Sequence, residues 1–369
     1  MRLDLDEDTT SMQEAVRAFA TERVRPRARA WEEAGEIDPL ALDEGWQLGF
    51  AAMGVPASLG GAGADDALPS ALLGAVVLEE LAYADLGFAL ACFSPLHVTV
   101  PTVLFGDPEL KQAVLPKLVG DKLPAATGAW IEPTRTYDPW TMSARSEPVP
   151  GGLGIQGDKT LVPRADAAEL TVVMARSGAV GQGALVPFLV EGRNAGGARR
   201  GRCDVIAPRA VATFDLSLGG ATAKPITHDG GRAHARLAER ALVASAAAAV
   251  GVARAATDYA AAYAKDRRAF GRAIAQNQSI AFMLAEAATD AEAARWMTWK
   301  AAWKIDRASH DGARAEASRA ARFAAQTAFR SADACVQILG GHGVIRDHLA
   351  ELFFRNARTL ATTVGWFLV

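Results

Sequence analysis

Residues 336–358 read VQILGGHGVIRDHLAELFFRNAR, and with Tyr263 to Arg272 (YAKDRRAFGR) and Ile274 to Glu286 (IAQNQSIAFMLAE) they are the most specific strings in the chain. All three lie in a stretch from Ala233 onward that is patterned for helix almost continuously, very rich in alanine and free of proline. Within it Ala241 to Val250 (ALVASAAAAV) reads as a buried helix, because small residues let neighbouring helices approach closely. As the longest low-polarity run, it is about half of the ~20 residues needed to cross a bilayer. Trp296, Trp299 and Trp303 recur at i, i+3 and i+7, the spacing of a stripe packed against another helix.

Working back from there, residues 126–230 change texture to short apolar runs punctuated by glycine and proline. Leu170 to Met174, Ala184 to Val190 and Val211 to Leu216 read as strands of a compact β domain, since β-branched runs bounded by turn residues favour sheet. Gly192 to Gly201 reads as a surface loop. Residues 1–125 return to helical patterns. Ser11 is placed to cap a helix with Glu14 three residues on, Ala71 to Tyr83 is a second helix, and Glu109 to Val119 a third. The order of helices, then strands, then helices gives a mainly α protein with a middle β domain, divided at 1–125, 126–230 and 231–369. Without strand–helix alternation, a Rossmann fold or an α/β barrel is disfavoured.

The chain has 369 residues, 50% of them hydrophobic, and 39 Lys plus Arg against 42 Asp plus Glu, which suits a soluble protein with substantial cores and disfavours a nucleic-acid partner. Cys92, Cys203 and Cys335 are too few and too far apart for a disulfide framework or a four-cysteine metal site. The acidic start, Met1 to Thr10, does not look like a secretory signal, so a cytoplasmic protein with no membrane span is expected. Phosphate-binding glycine loops, HExxH and GxSxG strings are absent, and His97, His228, His234 and His310 are read as surface or satisfied core residues, with no metal site.

The three C-terminal strings resemble the flavin-dependent acyl-CoA dehydrogenase family, whose C-terminal domain carries R-x-x-F-G, then a glutamine-containing helix, then Q-I-L-G-G-x-G and R-D-A. The N-terminal strings GVPASLGGAG (54–63), LEELAYAD (78–85) and FGDPELKQAVLPKLVGDKLPAA (105–126) look like family counterparts in the same order. The resemblance implies an N-terminal helical domain, a β-barrel-like domain and a C-terminal four-helix bundle that forms dimers or tetramers. It also implies FAD. Arg267 matches the arginine that pairs with the FAD pyrophosphate, a role suited to a permanently charged multidentate donor. Phe270 matches an aromatic beside the cofactor, and Gln278 lies on the glutamine-containing helix. Gln337, Gly340 and Gly341 match the string that reaches the adenosine and pyrophosphate end of a flavin held mainly by the neighbouring subunit, where glycine permits close backbone approach.

The family's chemistry needs a carboxylate that removes a proton α to the thioester while the flavin takes a hydride from the β carbon. One family position for that base, in Y-E-G-T, falls on Val364 here, and a second, early in the first bundle helix, falls on Ala241. Glu239, Glu132 and Asp138 are the remaining weak candidates. Glu239 is two residues from Ala241, a helical rotation of about 200°, and with Arg240 it reads as a solvated helix-end pair. The loop T-E-P-x-A-G-S-D becomes Ile131 to Asp138 (IEPTRTYD), and the string beside the isoalloxazine becomes Leu161-Val162-Pro163, whose proline has no hydroxyl or N–H to donate.

Three readings follow. The first is an acyl-CoA dehydrogenase-like flavoprotein acting on a CoA- or carrier-bound acyl thioester, with an electron-transfer partner and an atypical base. The second is a non-catalytic structural subunit of a heteromeric dehydrogenase, completing the site of a homologous partner chain. The third is the same fold recruited to different chemistry in secondary metabolism, with His342 and Asp347 as polar candidates.

Overall fold

A computed structural model describes residues 5–134, 138, 140–177, 184–193, 197–227, 231–307 and 313–369, the side chains of 198–200 excepted; His228, His310 and residues 135–137 lie outside these. The N-terminal part is seven helices: α1 (Glu7–Phe19), α2 (Ala28–Ala34), α3 (Pro39–Trp46), α4 (Ala71–Ala84), α5 (Leu86–Phe93), α6 (Leu96–Phe105) and α7 (Pro108–Val114). Asp6, not Ser11, caps α1: its carboxylate accepts from the Thr9 backbone N–H at 2.8 Å, which leaves Ser11 inside the first turns. An aspartate also suits the positive end of the helix dipole. Ser70 caps α4 through the Leu73 N–H, and beyond α7 a 3-10 turn, Leu115–Leu118, replaces the remainder of the helix read to Val119.

Seven strands follow: β1 (Ala126–Ala129), β2 (Arg145–Val149), β3 (Gly152–Pro163), β4 (Leu170–Arg176), β5 (Leu185–Glu191), β6 (Ala198–Arg202) and β7 (Thr213–Pro225). The pairings β4–β2–β3–β7–β5 return to β4 through a full β4–β5 ladder, so the sheet closes into a barrel. Its interior is a separate apolar cluster that includes Ile155, Val162, Val173, Phe188 and Leu216. Two local expectations differ. Residues 198–201, read as loop, pair with β7 along its edge, and the long β3 was not legible because glycines and Asp158-Lys159 interrupt its pattern.

The C-terminal part holds α8 (Arg232–Asp266), α9 (Gln278–Arg307), α10 (Arg314–Leu339) and α11 (Ala350–Leu360), with a small hairpin of β8 (Arg268–Ala269) and β9 (Arg272–Ala273) between α8 and α9. The whole run Ala241 to Val250 is buried in α8. Leu86–Phe105 and α8 both have the length and apolarity of a membrane span, more than the ten-residue run suggested, yet 89% of each such window is buried inside the protein. The tryptophan stripe is uneven: Trp299 is buried, Trp303 is partly covered, and Trp296 is 39% exposed with its ring edge on Trp299. Glu79 and Glu80 on α4 bind the first and last parts together. Arg17 of α1 reaches Glu80 at 2.7 Å, while Arg254 of α8 and Arg295 of α9 reach Glu79 at 2.7 and 2.9 Å.

Candidate functional site

The residues singled out above separate into an interior group and an exterior group. The interior group lies where the barrel meets α6 and α8. Glu132, just past β1, turns inward and forms a 2.9 Å ion pair with Lys159 of β3, which is fully buried. Its two oxygens also accept from the Ser143 and Ala144 backbone N–H at 2.6 and 2.9 Å. Burial alone would push this carboxyl up, but the Lys159 ammonium and the two N–H donors together hold it below the ordinary range. Asp138 sits on the outer surface, accepting from the Trp140 N–H at 2.9 Å.

The expected solvated pair at the start of α8 is buried instead. Glu239 is 7% exposed and accepts from the Ala313 backbone N–H at 3.0 Å, so it serves the unsatisfied N-terminal end of α10. Arg240, 5% exposed, donates to the carbonyls of Val369 at 2.7 Å and Pro69 at 2.9 Å. A carboxylate and a guanidinium taken from water must find such partners. Ala241 is fully buried in the helix, and Val364 borders an apolar groove of about 560 Å³ between α8, α10 and α11, with Arg322, Arg330 and Arg358 among its lining residues.

Beyond Val364 the chain turns at Gly365, whose φ of +105° is open to glycine alone, and Trp366, Phe367, Leu368 and Val369 run into the interior. They are 1%, 0%, 0% and 2% exposed. The Trp366 indole N–H donates to the Leu161 carbonyl at 2.9 Å, and the Trp366 carbonyl lies 3.1 Å from Nε2 of His97 on α6. Burial pushes the His97 imidazole down to about 4, so at neutral pH the ring is uncharged and Nε2–H is the donor, while Nδ1 stays buried without a partner among the described residues. His97 is therefore a core residue satisfied at one nitrogen. His234 is also buried, its ring 6.0 Å from that of Trp130 and 5.9 Å from that of Trp140.

The exterior group lies on the opposite kind of ground. The β8–β9 hairpin turns on Phe270 and Gly271, both at positive φ (51° and 81°), which projects the Phe270 ring fully into solvent. Positive φ is rare for a bulky residue. Arg267 precedes the hairpin, Gln278 opens α9, and both side chains are exposed with no partner among the described residues. Gln337 is exposed near the end of α10, and Gly340 (φ 59°, ψ −129°) ends that helix in a conformation reserved for glycine. Around Gly340 and Gly341 a side-chain carbon would meet nothing within 4 Å. The ring of His342 stacks on that of His348 at 5.2 Å and 14°, with Tyr263 and Tyr259 hydroxyls 2.9 and 2.8 Å from the respective Nδ1 atoms. Asp347 is exposed beside them.

Residues 6–122 match the family model described as acyl-CoA dehydrogenase, N-terminal domain, and residues 233–365 match acyl-CoA dehydrogenase, C-terminal domain. The chain is 30% identical over 363 residues to an acyl-CoA dehydrogenase of Bacillus subtilis, covering 96% of this chain and 94% of that one. It belongs to the acyl-CoA dehydrogenase family. The solved butyryl-CoA dehydrogenase of Megasphaera elsdenii has the same fold (TM-score 0.87, 24% identity, 99% and 96% of the two chains). So does a glutaryl-CoA dehydrogenase of Mycobacterium smegmatis in complex with FADH2 (TM-score 0.83, 21% identity, 98% and 92%).

Against the cofactor of the acyl-CoA dehydrogenase family the two groups behave differently. The exterior residues fit a negatively charged, phosphate-bearing group approached from outside: an exposed guanidinium at Arg267, an amide at Gln337 and a bare backbone at Gly340 and Gly341. The interior string does not fit a flavin ring. Val162 and Pro163 are buried, the Pro163 carbonyl accepts from the Thr127 hydroxyl at 2.7 Å, and the Leu161 carbonyl is taken by Trp366. Sequence reasoning missed the inserted segment and Lys159. The run WFLV directly after a glycine was the available signal for the first; a lone lysine within a strand gives none.

Proposed function

We propose that this chain is a supporting, non-catalytic subunit of an acyl-CoA dehydrogenase, paired with a homologous chain that carries the FAD and the catalytic base. The observation that carries the reading is the fate of the carboxylates. The two positions that resemblance assigns to the base hold Val364 and Ala241, Glu132 is locked to Lys159 and two N–H groups, and Glu239 is bonded to the end of α10. A self-sufficient flavoenzyme would need Glu132 or Glu239 released from those bonds. In the proposed pair, Arg267 meets the pyrophosphate of the partner's FAD, Gln337, Gly340 and Gly341 its adenosine side, and Phe270 and Gln278 flank it. The partner binds the acyl thioester and passes electrons to an electron-transfer protein, in the cytoplasm, as a dimer or a dimer of dimers. The divisions 1–125, 126–230 and 231–369 are the units that would dock as bodies in that assembly.

Co-expression with a family member bearing an intact Y-E-G-T string tests this. The expected result is a co-purifying complex with half-stoichiometric flavin, in which Arg267→Ala here weakens the partner's hold on FAD by about tenfold or more, as expected when a charge-assisted contact is removed. A chain that co-purifies with no homologue, or that by itself bleaches bound flavin with an acyl-CoA, refutes the reading.

A further inference from the structure

We infer that Trp366–Val369 closes the flavin-ring position of this chain from within, so that the chain by itself takes up no FAD there. This deepens the subunit reading, on which it rests, by naming what occupies the chain's own ring position. The string that resemblance assigns to the side of the ring is Leu161-Val162-Pro163, and the Trp366 indole is hydrogen-bonded onto its first carbonyl at 2.9 Å. An indole is one of the largest flat groups a chain can supply, and here it is 1% exposed against that edge.

The segment is anchored at both ends and from separate elements. His97 of α6 holds the Trp366 carbonyl at 3.1 Å, and Arg240 of α8 holds the Val369 carbonyl at 2.7 Å. A side-chain carbon added to Gly74 of α4 would come within 2.8 Å of Val369, so helix and segment are already in close contact. To admit a ring, Trp366 would have to leave. That would strip the Leu161 carbonyl and the His97 Nε2–H of their partner and leave a gap next to two fully buried side chains, Phe367 and Leu368. The one side-chain donor in the segment, the Trp366 indole N–H, is already taken by the Leu161 carbonyl, and Phe367, Leu368 and Val369 have no polar side-chain atom to offer an isoalloxazine edge.

The test uses the full chain purified alone, with FAD as the probe. Two readouts are taken: flavin retained after desalting, and hydrogen exchange of residues 360–369 with and without excess FAD. The expected outcome is no retained flavin and a segment equally protected in both conditions. Trp366→Gly, with melting still cooperative, is expected to gain about tenfold or more in FAD affinity, whereas Trp366→Phe, which keeps the bulk, stays at the wild-type level. Near-stoichiometric flavin on the wild-type chain overturns the inference, as does a segment that loses protection when FAD is added. A folded Trp366→Gly chain with no gain, or a Trp366→Phe chain that gains as much, overturns it equally. If the glycine variant does not fold, the exchange measurement decides. Co-purification with a homologue separates the two: a chain that pairs yet takes up flavin on its own overturns only the closed ring position, and one that takes up none and pairs with no homologue overturns only the subunit reading.

Discussion

The edge of the barrel around Leu161 and the outer face around Arg267 both carry resemblance to one cofactor, yet their physics is opposite. At the first, the groups that resemblance assigns to the cofactor or the chemistry are engaged within the chain: the Leu161 carbonyl by Trp366, the Glu132 carboxylate by Lys159, the Pro163 carbonyl by Thr127. At the second, Arg267, Gln278 and Gln337 project into solvent, and Gly340 and Gly341 leave open space around them. The contrast teaches that contacts a chain needs for its own folding and contacts it holds out to something else are separable. Interior groups contribute to stability whether or not a ligand exists. Exposed side chains without partners, such as Arg267 and Gln337, contribute little to stability.

Substitutions sharpen or break that contrast. Lys159→Met strands the buried Glu132 and is expected to cost about 3–5 kcal/mol, measured by urea unfolding; Glu132→Leu added to it should recover only part, because the Ser143 and Ala144 N–H groups lose their acceptor. Trp366→Ala should cost about 3–5 kcal/mol as a large buried aromatic, seen as a lowered denaturation midpoint. A loss below about 1 kcal/mol in either, no more than the average point substitution, would mean that the interior is not closed as described.

In the interior, acid should act through His97. The folded His97 pKa, about 4, lies below its ordinary 6.5, so the unfolded chain binds the extra proton between those values. The stabilisation is complete above pH 6.5 and is lost as pH falls toward 4. A tenfold change in proton affinity corresponds to about 1.4 kcal/mol, so the whole interval amounts to roughly 3 kcal/mol. His97→Gln should flatten that part of the stability-against-pH curve, and an unchanged slope would count against the assignment. Smallest of all, Gln337→Ala and Phe270→Ser should change stability of the isolated chain by no more than about 0.5 kcal/mol. A larger effect on the chain alone would move those residues to the interior side of the comparison.

What was legible follows from periodicity. Ala241 to Val250 announces a buried helix because small apolar residues without proline have few other stable arrangements, and Leu170 to Met174 announces a strand through its branched residues. Local competition hid other features. Asp6 and Ser11 are both acceptable caps, and only the Thr9 N–H shows which one is used. β3 was hidden because Lys159, charged in the sequence, is an interior residue of the barrel once Glu132 faces it. Glu239 and Arg240 read as a surface pair since nothing nearby in the sequence hints that α10 and the segment at Val369 arrive to bury them.

By itself the sequence determined the order of helical, β and helical parts and the family strings, because each of these depends on residue identity or short-range spacing. Only the tertiary structure decided that Glu132 and Glu239 are bonded, that Arg267 and Gln337 face solvent, and that Trp366–Val369 lies against Leu161. Those facts depend on pairs up to 205 residues apart, such as Trp366 with Leu161. Whether a charge is solvated or a carbonyl already bonded is set by what the rest of the chain brings beside it.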